Sequence, residues 1–164
     1  VHAGDIVVEE ATLVEIDQLP VVRSQMQFLF SDATIEALQS GVAIFLEFNL
    51  KVKSQRKYLW DKSIVRLSKR RHLERHALTD RYIITDSLDQ QRRIFNSLNS
   101  AFEGINEMSD IPVSSLSEIQ QDEYTLAIKA KLDIEALPAP LRPIAYVSPS
   151  WRMSSGWYEW NLAR

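Results

Sequence analysis

A chain of 164 residues, 45% hydrophobic and 25% charged, has the size and composition of one globular domain, and folding would remove roughly 70% of its unfolded accessible surface from water. The lack of cysteine excludes disulfides, thiolate nucleophiles and cysteine-based zinc sites, and no run of about 18 apolar residues is present to form a transmembrane helix. The net charge of −3 is unevenly spread: Lys51 to Tyr82 holds eleven of the nineteen Lys and Arg against only Asp61, Glu74 and Asp80, which leaves eight bases and nineteen acids elsewhere.

The start, Val1-His2-Ala3-Gly4, resembles the small-residue end of a secretory signal. A trimmed export signal is one reading and an arbitrary start explains it nearly as well. Asp5 to Ile16 alternates, with Ile6, Val8, Val14 and Ile16 opposed by Glu9 and Glu15, and predicts a first strand. Leu19-Pro20 is expected to break it before a second strand in which Val22, Ser24, Met26, Phe28 and Phe30 oppose Arg23, Gln25 and Gln27. Ser31-Asp32 predicts the cap of a short helix, Ala33 to Ser40, with Ile35 and Leu38 facing the core and Gly41 ending it.

From Val42 the period returns to two. Ile44, Leu46, Phe48, Leu50 and Val52 oppose Phe45, Glu47, Asn49, Lys51 and Lys53 in a long strand. Tyr58 to Asp61 read as a connection. Val65, Leu67 and Leu73 then share one strand parity, with Arg66, Arg70, His72, Glu74 and His76 on the other. A strand with a bulge fits better than a helix, whose apolar stripe would have to admit several arginines. Tyr82 and Ile84 resume alternation against Arg81 and Thr85.

Ser87 and Gln90 match a capping box, and Leu88, Phe95, Leu98, Phe102 and Ile105 recur at helical spacing, which predicts one long helix ending near Gly104. Asp110 to Asp122 reads as a loop or short irregular segment. Tyr124 to Ile134 is a clean strand, with Lys129 and Lys131 on its polar face. Pro138, Pro140 and Pro143 stiffen the next connection, and an aromatic tail runs from Trp151 to Trp160. The expected fold is mainly β (α+β): a single domain over residues 4–164, an antiparallel β-sandwich-like arrangement with one long and one short inserted helix.

No catalytic constellation stands out. His72 and His76 would share a metal on a helix, but on a strand they lie roughly 13 Å apart, so ordinary strand histidines are the favoured reading. There is no Gly-x-Ser-x-Gly elbow, Walker loop or Gly-x-Gly-x-x-Gly stretch, and the acid pairs Glu9-Glu10 and Asp122-Glu123 point to opposite faces in extended chain. No catalytic residue, metal site or cofactor is expected.

Two surfaces carry the binding argument. Arg66, Lys69, Arg70 and Arg71, with Tyr58, Trp60 and Tyr82 nearby, would meet phosphates while the aromatics stack. A solvated sheet face that balances the acidic remainder predicts the same composition, and the negative net charge argues against nucleic acid. Trp157, Tyr158 and Trp160 form the second surface. Alternation places Tyr158 and Trp160 together and Trp157 opposite, and rings left outside the core would serve a partner or ligand.

Gly41-Val42, His76-Ala77-Leu78-Thr79-Asp80-Arg81-Tyr82, Leu137-Pro138-Ala139-Pro140-Leu141-Arg142 and Ser155-Gly156-Trp157-Tyr158-Glu159-Trp160 stand in the order found in a proteobacterial family catalogued as domain of unknown function 4390, which the chain resembles. The resemblance implies a small exported, periplasmic protein made with a signal peptide. It also implies a link to envelope signalling, because relatives are often encoded beside a membrane sensor kinase. It assigns no catalytic residue. The expected function is a non-enzymatic binding or protein-interaction module of the bacterial envelope, with an envelope protein such as a membrane sensor kinase as partner, engaged through a sheet edge or the aromatic end. The alternative is an anionic ligand, a lipid head group or polysaccharide, held by the basic stretch Lys51 to Tyr82, with Arg66, Arg70 and Arg71 as its site residues.

Overall fold

Period-two alternation resolves into two antiparallel sheets packed face to face. The computed structural model describes residues 5–54, 62–87, 89–107, 110–113 and 124–162. Strand β1 (Asp5–Ile16) and β2 (Leu19–Leu29) form a hairpin. Its turn is Asp17-Gln18, both at positive φ (50° and 65°), the backbone that a tight two-residue hairpin requires. Pro20 therefore does not break the chain: it lies in β2 opposite Glu15, and its carbonyl accepts from Val113 N at 2.9 Å. Helix α1 (Asp32–Gln39) follows, capped by Ser31 Oγ, which accepts from Thr34 N and donates to Ser150 O. Gly41, at φ 95°, ends that turn.

The larger sheet takes β3 (Ile44–Ser54), β4 (Lys62–His76), β5 (Arg81–Asp86), β6 (Arg92–Phe95), β8 (Tyr124–Leu132) and β9 (Tyr158–Leu162) in the order β6-β5-β4-β3-β8-β9. The smaller is β1-β2-β7, where β7 is Ile111–Pro112. Ile44, Leu46, Phe48, Leu50 and Val52 are buried as their parity predicts, and Phe48 meets Phe28 of the facing sheet edge-on at 6.3 Å between ring centroids. After β8 come 3-10 turns at Ile134–Ala136, Ala139–Leu141 and Pro149–Trp151 around a short helix, α3 (Arg142–Val147). No described helix is long and apolar enough to cross a membrane.

Two further local expectations are corrected. Ser87 and residues 89–95 do not start a helix: Gln90 is at φ 56° and Asp86 N donates to Gln91 O, which closes a turn between β5 and β6. The helix, α2, spans only Leu98–Glu107 and is capped by Ser97 Oγ, which accepts from Ser100 N at 3.1 Å. Phe95, at the end of β6, still packs on α2 because the chain folds back there: a Cβ on Gly104 of α2 would lie 2.1 Å from the Phe95 ring. The second correction is β7: Ile111–Pro112 pairs with Val21–Val22 where a loop was expected. Tyr58 to Asp61, Leu88 and residues 114–123 lie outside the described residues.

The inner face of β4 carries Leu67, Lys69, Arg71 and Leu73, so two cations point into the core. Asp86 receives both, with Lys69 Nζ at 2.7 Å and Arg71 Nε at 3.3 Å. Arg71 Nη1 also donates to Ile105 O at 2.9 Å, Lys69 Nζ donates to Asp110 O at 3.1 Å, and the Arg71 guanidinium stands 4.7 Å from the Phe48 ring centroid. Arg71 Nη2 has no hydrogen-bond partner among the described residues, a cost that the aromatic face offsets in part. Burial pushes both cations below their ordinary pKa; Arg71 lowers Lys69 further, and Asp86 opposes the shift in each case.

Removing the shared carboxylate strips two buried cations of the ion-pair partner they have in common, so Asp86→Ala should lower stability by about 3–5 kcal/mol in urea unfolding; a loss below about 1 kcal/mol would show that the cluster is not holding the core. The lowered Lys69 pKa has a defined sign. The folded chain gives up this proton before the unfolded chain does, so the site's contribution to stability rises with pH between its lowered value and the ordinary lysine value. The stability of the natural chain relative to Lys69→Met should therefore increase as pH rises from neutrality into that range, and a pH-independent difference would contradict the assignment.

Candidate functional site

Cross-strand partners share a face of a sheet, so register alone assembles the outer surface of the larger sheet. Glu47 stands between Arg70 and Lys131, Asn49 between Ser68 and Lys129, and Lys51 between Arg66 and Ala127, with Glu159 beyond Ala127 on β9. The first of these rows is neutralised. Arg70 is ion-paired with Asp133, Lys131 Nζ lies 3.9 Å from Glu47, and Asn49 Nδ2 donates to Glu47 Oε1 at 3.1 Å. Among the described residues, Lys51, Arg66 and Lys129 have no carboxylate partner.

The aromatic element of this surface arrives from the other end of the chain. Residues 153–155 are stitched to β8: Leu132 N donates to Met153 O at 2.9 Å, Ser155 N to Ala130 O at 2.8 Å, and Ala130 N to Ser155 Oγ at 2.9 Å. Gly156, at φ 65°, then turns the chain into β9. Trp157 is 40% exposed. Its ring lies beside cations of both β3 and β8, with Lys51 Nζ 3.9 Å and Lys129 Nζ 5.8 Å from the ring centroid. Such contacts at exposed sites are worth about 0.5–1 kcal/mol, weak enough for an incoming anion to draw an ammonium off the ring. A recess of about 210 Å³ lies between the indole and the Asn49, Lys51, Arg66 and Ser68 side of the sheet. That is smaller than an ordinary drug-sized site of roughly 300–1,000 Å³.

The predicted binding residues thus divide. Arg66 and Trp157, read from sequence as separate surfaces, meet at one recess. Arg70 shares the face but is engaged by Asp133 and lies 5.7 Å from the Phe45 ring. Arg71 is corrected: it is 1% exposed, on the inner face, because its parity is that of Leu67 and Leu73. Tyr158 and Trp160 pair with the buried Ile128 and Leu126, so they belong to the inner face. Trp160 packs against the core and Tyr158 lies against it, half-exposed at the sheet edge. Tyr82 is buried, and Tyr58 and Trp60 lie outside the described residues. Lys51, Lys129, Asn49 and Ser68 were missed as site residues. Their outward parity was legible, and what was missing was the register that sets them beside Arg66.

A larger open cleft of about 610 Å³ runs beside β2, but Arg23 in its wall is engaged by Asp110, with Nε and Nη2 each 3.0 Å from a carboxylate oxygen. That pairing raises the Arg23 pKa and leaves no uncommitted cation among the described residues of the cleft. His72 lies against Phe45 at 5.0 Å between ring centroids, and His76 Nδ1 is 3.2 Å from Thr79 Oγ1. Among the described residues no group of three or more His, Asp or Glu is placed to hold a metal.

No curated protein and no solved structure matches the chain. A family does, over residues 3–161, nearly its whole length. The chain belongs to the family described as domain of unknown function (DUF4390).

Proposed function

We propose that the chain is a non-catalytic binding module of the bacterial envelope, acting in the periplasm, that holds an anionic ligand on the outer face of its larger sheet. One observation carries the reading: Lys51 and Arg66 are directly opposite each other, with Lys129 in the next row, and none has a carboxylate partner among the described residues. Like charges opposite one another on adjacent strands destabilise a sheet, so an arrangement of this kind costs folding free energy that a bound anion would return. Besides Leu50 and Leu67, the groups around the recess are cations, an amide, a hydroxyl and an indole. They supply attraction and orientation rather than a nucleophile with a base.

The envelope setting and a sensor-kinase partner rest on the family resemblance. A protein partner added along the free edge of β1 is the weaker reading, because that edge carries Glu9 and Glu10 beside a register shift between Val8 and Glu10, devices that discourage strand addition.

Immobilised heparin, a generic polyanion, provides the test. The triple variant Lys51→Ala/Arg66→Ala/Lys129→Ala should elute at lower salt than the natural chain, with the log–log salt slope reduced by about one for each residue removed. The charge-matched triple Arg81→Ala/Arg92→Ala/Arg152→Ala, none of which lines the recess and two of which lie on β5 and β6 at the far edge of the sheet, should elute close to the natural chain. Equal shifts for the two triples, or no shift for either, would contradict the assignment.

A further inference from the structure

We infer that the recess beside Trp157 is a subsite for one anionic sugar ring, a hexopyranose unit bearing a carboxylate or phosphate within a longer glycan; the inference rests on the anion-binding reading above. The recess has a volume of about 210 Å³ and opens on a sheet surface, so it accepts one ring of a chain that continues along the face rather than enclosing a whole ligand. Trp157 adds what a simple anion site would not need. The C–H-bearing face of a hexopyranose carries partial positive charge and meets the negative face of an indole, whereas an acyclic anion leaves the ring unused. The platform is preorganised, because the segment leading to it is tied to β8 by the Met153 and Ser155 hydrogen bonds.

The polar groups narrow the chemistry further. Asn49 Nδ2 donates one of its two N–H groups to Glu47 Oε1, so Asn49 offers its Oδ1 as an acceptor beside the one remaining N–H, a pair that suits a hydroxyl, which both donates and accepts. Ser68, directly opposite, both donates and accepts. A phosphate chain carries acceptors alone and gives Asn49 Oδ1 nothing, while a sugar hydroxyl donates to it. Lys51 and Arg66, one row along, are placed for the anionic substituent of the same ring. Stacking surface, a free acceptor beside a hydroxyl, and paired cations together describe a charged sugar better than a lipid phosphate or a polyphosphate.

The experiment is a titration of the isotopically labelled chain, read at the Trp157 indole N–H resonance and assigned with Trp157→Phe. Its probes are a galacturonate tetramer, the same tetramer with its carboxylates reduced to alcohols, inorganic tetraphosphate, and glucose 6-phosphate against monomeric galacturonate. The uronate tetramer should shift the indole signal and bind at least roughly tenfold more tightly than either the reduced tetramer or tetraphosphate. Trp157→Ala, followed at the backbone amides of Lys51 and Arg66 because the indole signal is gone, should bind the uronate tetramer more weakly by a similar factor and tetraphosphate equally well, with signals from the buried core unmoved as evidence of folding. Whichever of glucose 6-phosphate and monomeric galacturonate acts at the lower concentration identifies the anionic group. If tetraphosphate binds as tightly as the uronate tetramer and Trp157→Ala affects neither, the sugar inference is overturned while the anion site stands. If the reduced tetramer binds as well as the charged one, the ligand is not anionic and the inference falls. If no probe binds, the inference and the anion-binding reading fall together.

Discussion

A single buried carboxylate, Asp86, sets where the central strands of the larger sheet can lie. It holds Lys69 and Arg71 of β4 from the neighbouring β5, and those cations reach on to the carbonyls of Ile105 and Asp110. The same stretch of chain is tied to the facing sheet: Asn106 Oδ1 accepts from Met26 N of β2, and Phe102 stacks on Phe30 at 4.8 Å between centroids. Sheet, helix α2 and facing sheet are therefore linked by one polar network at the bottom of an apolar core. A buried pair of this kind gains little over well-packed apolar side chains but is costly to break, so its main consequence is register. Slipping β4 by one residue would expose Asp86's partners and turn Arg66, Ser68 and Arg70 inward.

The outer surface follows from that register. With β4 fixed, Arg66 falls opposite Lys51 and Ser68 opposite Asn49, and pairing of β3 with β8 adds Lys129. Acids neutralise one end of the face through Arg70–Asp133 and Lys131–Glu47, while the Lys51 end keeps its charge and carries the exposed indole. The asymmetry matters more than the total charge. A face that served only to solvate the sheet would pair its cations along its whole length, whereas Glu159, in the Lys51 row but one strand beyond Ala127, makes no ion pair with Lys51, Arg66 or Lys129 among the described residues.

The strands were legible because alternation is a direct consequence of one buried face. Ile44 to Val52 fixed both a strand and its inner side. The start of α2 was not legible, since Phe95, Leu98 and Phe102 satisfy helical spacing whether the chain between them is helical or folds back from a strand. Arg71 was misread as a surface cation although it shares parity with Leu67 and Leu73; a buried arginine is rare enough that composition outweighed the pattern, and the later Asp86 on an inward-facing position was the available signal. Half of the site was visible as two unconnected features, Arg66 and Trp157. Their meeting depends on which strands pair and in what register, which is a property of the whole sheet and not of either local sequence.

The central claim is that the sheet keeps Lys51 and Arg66 opposite one another at a cost in stability because an anion binds there. Urea unfolding of Arg66→Glu in low-salt buffer, combined with heparin retention of the same variant, tests this most directly. Converting the repulsive pair to an attractive one should raise stability by about 0.2–1 kcal/mol while retention falls, the signature of a site that trades stability for binding. Unchanged or lower stability with retention intact would contradict the account.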